Sequence, residues 1–196
     1  MKLDRSFYLR PDVVEVSRDL IGKVLCTNTR GKITSGIITE TEAYAGITDR
    51  ASHAYGNKRT ARTEVMYSQG GTAYVYLCYG IHHLFNIVTN KKDIPHAVLV
   101  RAIKPLDGLD LILERRNRKI ADKHISGGPG TVSQALGILT KFTGVDLLEN
   151  KIWIEDRGII IPEKDLLKGP RIGVDYAGKD AKLPYRFWVR NSPGYL

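Results

Sequence analysis

Two runs of β-forming and aromatic residues, Thr72–Tyr79 and His82–Thr89, are separated by Gly80-Ile81 alone. A short glycine-containing connection between two such runs predicts an antiparallel hairpin. That hairpin commits the middle of the chain to local strand pairing, and the flanking segments extend the same pattern. Lys23–Asn28 and Ile33–Tyr44 read as strands around an Arg30-Gly31-Lys32 turn, and Ala97–Ile103 as another. Lys151–Glu155, Arg171–Val174 and Tyr185–Arg190 read as late strands. Helical spacing is confined to three places: residues 11–22, with Pro11 and Asp12 in the first turn and Gly22 as the stop; the stripe Leu109, Ile112, Leu113 with Arg116 at its end; and Thr131–Leu139. Strands cluster rather than alternate with helices. The expected fold is therefore α+β: a mainly antiparallel, curved β-sheet with a protruding β-hairpin and a few packed helices.

The chain has 196 residues, 42% of them hydrophobic and 26% charged, which suits one globular domain spanning residues 1–196 and excludes a disordered tail protein. Cys26 and Cys78 are too few for a disulfide scaffold or a four-thiolate zinc site, and both sit in β-forming runs that predict buried free thiols. Asp4 and Arg5 arrive too early for a signal peptide, and no apolar run approaches the ~20 residues of a membrane span. The expectation is a soluble protein of a reducing cytoplasm with no membrane partner. Thirty Lys and Arg against 21 Asp and Glu leave a net charge of +9. Such a surface suits nucleic acid, an anionic membrane face or acidic small molecules, beside its plain use for solubility.

Residues 45–71 carry Gly, Asn, Thr, Ser and several basic residues without periodicity. An irregular excursion of that length in a compact domain is usually functional. Its basic residues Lys58, Arg59 and Arg62 join Lys91 and Lys92, and Arg115, Arg116, Arg118, Lys119 and Lys123, in candidate loops. Each group alone suits a solvated face. Beside one aromatic pocket they would form a track for a polyanionic backbone.

Period two decides which side chains meet on a strand. Glu42 and Tyr44 share a face near the end of the long strand, together with Glu40 if the strand stays regular. A solvated edge is the commoner fate of a glutamate; the alternative is a general acid or base in a partly dry pocket. Tyr74 and Tyr76 share one face of the hairpin, and His82, Leu84 and Asn86 share a face of the returning strand. Tyr79 stands at the tip, where a core aromatic would gain little burial. An exposed aromatic on a projecting tip suits insertion between stacked bases. His82 and His83 point to opposite faces and do not make a chelating pair. The Gly-rich segments 68–72 and 127–131 match no phosphate-binding or dinucleotide fingerprint, although the second precedes a helix whose N-terminus could receive a phosphate.

Taken together, the segments resemble the alkyladenine-DNA glycosylase family, the 3-methyladenine DNA glycosylases. The resemblance is carried by Ile-Thr-Glu-Thr-Glu-Ala-Tyr at 38–44 followed by His53, Gly-Thr-Ala-Tyr-Val-Tyr-Leu-Cys-Tyr-Gly at 71–80, Phe-Asn-Ile at 85–87 and Val-Leu-Val-Arg-Ala at 98–102. Gly-Pro-Gly-Thr-Val-Ser-Gln-Ala-Leu at 128–136, Arg-Ile-Gly-Val at 171–174 and Pro-Tyr-Arg-Phe-Trp-Val-Arg-Asn-Ser-Pro at 184–193 complete it. The resemblance implies a monofunctional enzyme that flips a damaged purine out of double-stranded DNA and hydrolyses its N-glycosidic bond. It implies no cofactor and no metal, and a monomer is the simplest state for a protein that wedges into DNA. In a prokaryote such a protein would sit in the cytoplasm with the nucleoid.

By the same resemblance Glu42 would activate the attacking water. Arg101 would help hold that water and Glu42 in place, with a backbone carbonyl near Ile172 as a further ligand of the water. Tyr44, His53 and Tyr76 would enclose the flipped base, and Asn86 would stand at the pocket edge against the exocyclic amine of guanine. Tyr79 would fill the vacated stack, with Ile81 beside it in the intercalating tip. Ile81 and His82 replace a longer apolar and an aromatic side chain of the family's pattern. The alternative is a non-catalytic lesion-DNA-binding protein of the same fold, which could dispense with Glu42 or Arg101; this chain has both.

Overall fold

The computed structural model describes residues 1–122 and 124–190. Lys123 of the proposed basic track and the last three residues of the 184–193 motif lie outside the described residues. Among the described residues the sheet has eight strands, and every pairing recorded between them is antiparallel. They are β1 (Val24–Thr29), β2 (Lys32–Tyr44), β3 (Ala73–Cys78), β4 (His82–Thr89), β5 (His96–Pro105), β6 (Ile152–Glu155), β7 (Leu166–Gly169) and β8 (Arg186–Val189). The spatial order is β3-β4-β5-β2-β1-β6, with β8 pairing both β2 and β7. The fold is α+β, as the clustering of strands requires.

The 13-residue β2 organises the sheet. One edge pairs with β5 along Gly36–Tyr44. The other edge pairs with β1 over Lys32–Ile37 and then with β8 over Glu40–Glu42. The register against β5 shifts on both sides of Glu40. Such an irregularity bends the strand and re-aims its side chains.

Four α-helices are described: α1 (Arg5–Tyr8), α2 (Val13–Asp19), α3 (Leu109–Arg116) and α4 (Pro129–Leu136). Asp12 caps α2 by accepting the N–H groups of Val14 and Glu15, so the helix starts at Val13, two residues later than Pro11 and Asp12 in a first turn would imply. Helix α4 ends at left-handed Gly137, ahead of the expected Leu139. Its start is closed by Thr131, whose hydroxyl accepts the Gly128 N–H and donates to the Gly128 carbonyl. The Gly-rich segment before it thus serves a cap. The core joins Ile38, Phe85, Ile87, Val98 and Val100 of the sheet to Val16 and Leu20 at α2 and to Ile112, Val132 and Leu136 of α3 and α4.

The structure corrects several sequence expectations. Arg171–Val174 is not a strand; the late strand lies just before it, at β7. Residues 45–71 hold only short 3₁₀ turns, at Gly46–Thr48, Tyr55–Asn57 and Glu64–Tyr67, as an irregular excursion should. Cys26 is buried, but Cys78 is only half-buried. No helix among the described residues is long and apolar enough to cross a membrane.

Candidate active site

The end of β2, the hairpin β3–β4, strand β5, the 45–71 excursion and the segment after β7 meet around a cleft of about 230 Å³. Tyr44, His53, Tyr74, Tyr76, Asn86 and Arg101 line it, and Ile172 and Tyr176 complete the wall. Residues far apart in sequence therefore converge on one cavity.

Glu42 lies directly behind that wall. Its side chain is 0% exposed, and it contributes no surface to the cleft. Three wall residues hold it. The Tyr44 hydroxyl donates to Oε2 at 2.8 Å, the Ile172 backbone N–H donates to Oε1 at 2.8 Å, and Arg101 Nε stands 3.4 Å from Oε1. The part of Ile172 that meets Glu42 is thus its amide N–H. Burial pushes the Glu42 carboxyl above its usual range, while Arg101, the Ile172 amide and the Tyr44 phenol pull it back. An ionised carboxylate has about four acceptor positions, so the Tyr44 hydroxyl and the Ile172 amide leave part of its acceptor capacity open.

Arg101 projects from β5 between two carboxylates. It donates from Nε to Glu40 Oε1 at 2.9 Å, the shorter of its two contacts. Glu40 also faces Arg186 of β8 at 3.7 Å. The bend at Glu40 keeps Glu40 and Glu42 on Arg101 despite the broken register.

The aromatic side of the cleft is built on β3. Tyr74 and Tyr76 share a face, with ring centroids 5.5 Å apart. His53 packs edge-on to Tyr76 at 4.7 Å, and its Nδ1 shares a 2.8 Å hydrogen bond with the Tyr74 hydroxyl. Burial, with Arg62 and Lys58 nearby, lowers the His53 pKa to about 4, so the imidazole is neutral at physiological pH. Burial also holds the Tyr44 phenol well above its usual range, keeping it a donor to Glu42. Asn86 sits in β4, and its amide nitrogen donates to the backbone carbonyls of Tyr74 and Leu84. Arg62 lies over the Tyr76 ring at 5.0 Å.

The hairpin tip is the opposite environment. Tyr79 is 91% exposed and Ile81 is 70% exposed. Tyr79 and Gly80 both have positive φ, at 51° and 74°, and the Ile81 N–H closes the turn on the Cys78 carbonyl. The two strands pair up to Cys78 and His82, so the turn includes Tyr79 as well as Gly80-Ile81. His82 packs against Gly130 at the start of α4, where an added Cβ would lie 2.9 Å from its Nδ1. His83 accepts the Thr140 N–H on another side.

The basic groups divide. Arg59 is committed to Glu64 and Asp93. Arg115 and Arg116 bind carbonyls of the α4 region, Ala135 and Ile125, and so join helices rather than line a track. Tyr74 and Tyr176 are cleft residues that sequence reasoning did not assign to the base. For Tyr74 the signal was present in its period-two relation to Tyr76; for Tyr176 none was.

A family model described as methylpurine-DNA glycosylase matches residues 6–193. A Chlamydia abortus protein provisionally named a 3-methyladenine DNA glycosylase is 45% identical over 186 residues, covering 94% of this chain and 96% of its own. Proteins of the same provisional name from Clostridium novyi and Natranaerobius thermophilus are 40% and 42% identical, covering 97% and 98% of this chain and 96% and 98% of their own. An aromatic cleft backed by a buried glutamate, and similarity along nearly the whole chain, lead to one statement: the chain belongs to the methylpurine-DNA glycosylase family.

Proposed function

We propose that this protein is a monofunctional DNA glycosylase that excises alkylated or deaminated purines, such as 3-methyladenine, 7-methylguanine, hypoxanthine and ethenoadenine, from duplex DNA. The observation that carries the reading is Glu42, a fully buried carboxylate held by three residues of an aromatic cleft wall.

Chemistry on a base within a duplex requires extrusion of the nucleotide, at a cost of a few kcal/mol in stacking and pairing. Stacking on an aromatic side chain returns ~1–3 kcal/mol per base, so Tyr44 and Tyr76, with His53 against Tyr76, offset much of that cost. Tyr79 and Ile81 enter the space the base leaves. Asn86 limits the shape of the purine accepted. A cationic alkylpurine is favoured by aromatic faces and is already a good leaving group.

The reaction passes through an oxocarbenium-like state, as glycoside hydrolysis does. The bond between C1′ and the base nitrogen breaks, and the base leaves with the electron pair. Water adds to C1′ and its proton passes to Glu42, while the carboxylate offsets the positive charge of the sugar. Arg101 orients Glu42 and the water. Among the described residues lining the cleft none is a lysine, so the sequence of steps ends at the abasic site without strand cleavage.

Glu42→Gln tests the reading. The variant is expected to bind hypoxanthine-containing duplex DNA with nearly native affinity and to release no free base in single-turnover assays. Base release at the native rate would remove Glu42 from the role of general base. A wild-type protein that binds lesion DNA and releases nothing would leave a lesion binder of the same fold.

A further inference from the structure

The amide that holds Glu42 belongs to a residue whose neighbour is unusually well anchored. The Arg171 side chain is 0% exposed and its partner Asp49 only 1%. Nη1 donates to Asp49 Oδ2 at 2.5 Å and to the Ala43 carbonyl at 2.8 Å; Nη2 donates to Asp49 Oδ1 at 2.8 Å and to the Asp180 carbonyl at 3.2 Å. The guanidinium lies over the Tyr44 ring at 4.9 Å and over the Tyr185 ring at 5.2 Å. Asp49 also accepts the N–H groups of Ala45 and Ala51, both at 3.0 Å. One ion pair therefore joins the end of β2, the excursion, the 171–174 segment and the turn at Asp180.

Stability alone is a poor reason for this arrangement. A buried ion pair gains little over well-packed apolar residues of the same volume, because both charges must leave water. Arg171 Nε, moreover, is buried with no hydrogen-bond partner. What the pair does achieve is geometric, because its fork fixes Ala43, between Glu42 and Tyr44, and the backbone that presents the Ile172 N–H.

We propose that Arg171, paired with Asp49, is a positioning residue for base excision: it holds the Ile172 amide on Glu42 and the Tyr44 ring at the cleft wall. This rests on the glycosylase reading above. The general base and one stacking face are then set by a single guanidinium. Lysine keeps the charge but cannot reproduce the fork, and methionine keeps bulk without either.

Glu42 is surrounded by Glu40 and Tyr44 of β2, Arg101 of β5, Arg186 of β8 beyond Glu40, and Arg171 and Tyr176 from the segment after β7. Loosening the Ile172 amide removes one of the interactions that favour the ionised carboxylate, so Glu42 should bind its proton more tightly in the variants.

The test compares wild type with Arg171→Lys, Arg171→Met and Asp49→Asn in the full chain. Single-turnover release from hypoxanthine-containing DNA is followed across pH, and affinity is measured on duplex carrying a tetrahydrofuran abasic analogue. The expected result is a roughly 10- to 100-fold slower release in Arg171→Met, as for any small displacement of reacting groups. Affinity for the abasic duplex should stay within about threefold, because the fork does not touch the tip. The acidic limb of the rate profile should move to higher pH, with partial rescue in Arg171→Lys. Carboxyl NMR of Glu42 in the free proteins reads the same change without catalysis and serves if Arg171→Met does not fold. An unmoved Glu42 titration in folded Arg171→Lys or Asp49→Asn, or a rate loss matched by affinity loss, overturns the proposal. Failure of the wild type to release hypoxanthine, 3-methyladenine, 7-methylguanine or ethenoadenine from duplex DNA would instead overturn the glycosylase reading, leaving the NMR result to judge the positioning role.

Discussion

The rear wall of the cleft and the tip of the β3–β4 hairpin are built on opposite principles. In and behind the wall, Glu42, Tyr44 and Arg171 are held by hydrogen bonds, and Glu42 and Arg171 are buried. At the tip, Tyr79 and Ile81 are solvent-exposed, and Tyr79 holds a left-handed backbone that disfavours any residue with a Cβ. Chemistry needs a few groups in one geometry, whereas a wedge needs an apolar surface that finds its burial only in the partner. On the proposed function, the free protein carries the tip at a cost that bound DNA would offset.

If that contrast is right, damage to the wall changes the rate and damage to the tip changes the affinity. Glu42→Gln tests the wall most severely, with a fall in base release of ~10²–10⁴-fold or more, the range general base catalysis supplies, and lesion-DNA binding kept. Ionic strength tests the whole DNA face. With roughly 5–8 phosphates contacted, log affinity falls with log salt at a slope of about −5 to −7. A flat dependence would leave the positive charge without a role in binding. Tyr79→Gly sharpens the tip side: affinity for lesion DNA should drop about tenfold, the scale of one lost stacking contact. Its melting temperature should stay level or rise, because glycine accepts positive φ freely. A clear fall in melting temperature would show that Tyr79 supports the fold.

The smallest effect is on stability. The folded-state proton affinity of Glu42 is raised by burial. Between the ordinary carboxylate pKa and the raised value the folded protein binds more protons than the unfolded chain, so stability falls as pH rises through that window. Glu42→Gln is therefore expected to melt a little above wild type at pH 7, with the difference shrinking as pH approaches 4.5. His53, neutral down to about pH 4, should add no limb to the rate profile between pH 5 and 8. A limb in that range that vanishes in His53→Gln would contradict the neutral imidazole.

The sheet was legible because period-two patterning and short turns are local signals. The hairpin, the β1–β2 pair and β5 all follow from them within a few residues. Arg171–Val174 misleads for a physical reason: its apolar residues read as a strand, but its backbone course is set by an ion pair to Asp49, 122 positions away. Nothing in the sequence near Asp49 announces that contact. Helix α1 has only four residues, too few to establish a helical period. The bend at Glu40 was likewise invisible, since a strand sequence does not state where its partner's register slips. For the site, strand faces brought Glu42 with Tyr44 and Tyr74 with Tyr76, while the resemblance supplied His53, Arg101 and Asn86. Tyr176 and the Ile172 amide escaped, because loop residues reach a cleft by long-range packing.

The alternation within β2 restricts how such a protein could acquire a different appetite. Tyr44 lines the cleft and Glu42 lies behind its wall, while Thr41 between Glu40 and Glu42 is buried and hydrogen-bonded to Ser17 of α2, and Ala43 receives Arg171. A change of backbone course there would disturb the helix on one side and the guanidinium on the other. On the proposed function, new preferences for one purine over another would therefore arise on the free-standing walls, the 45–71 excursion and the two hairpin strands, while the strand bearing Glu42 stays as it is.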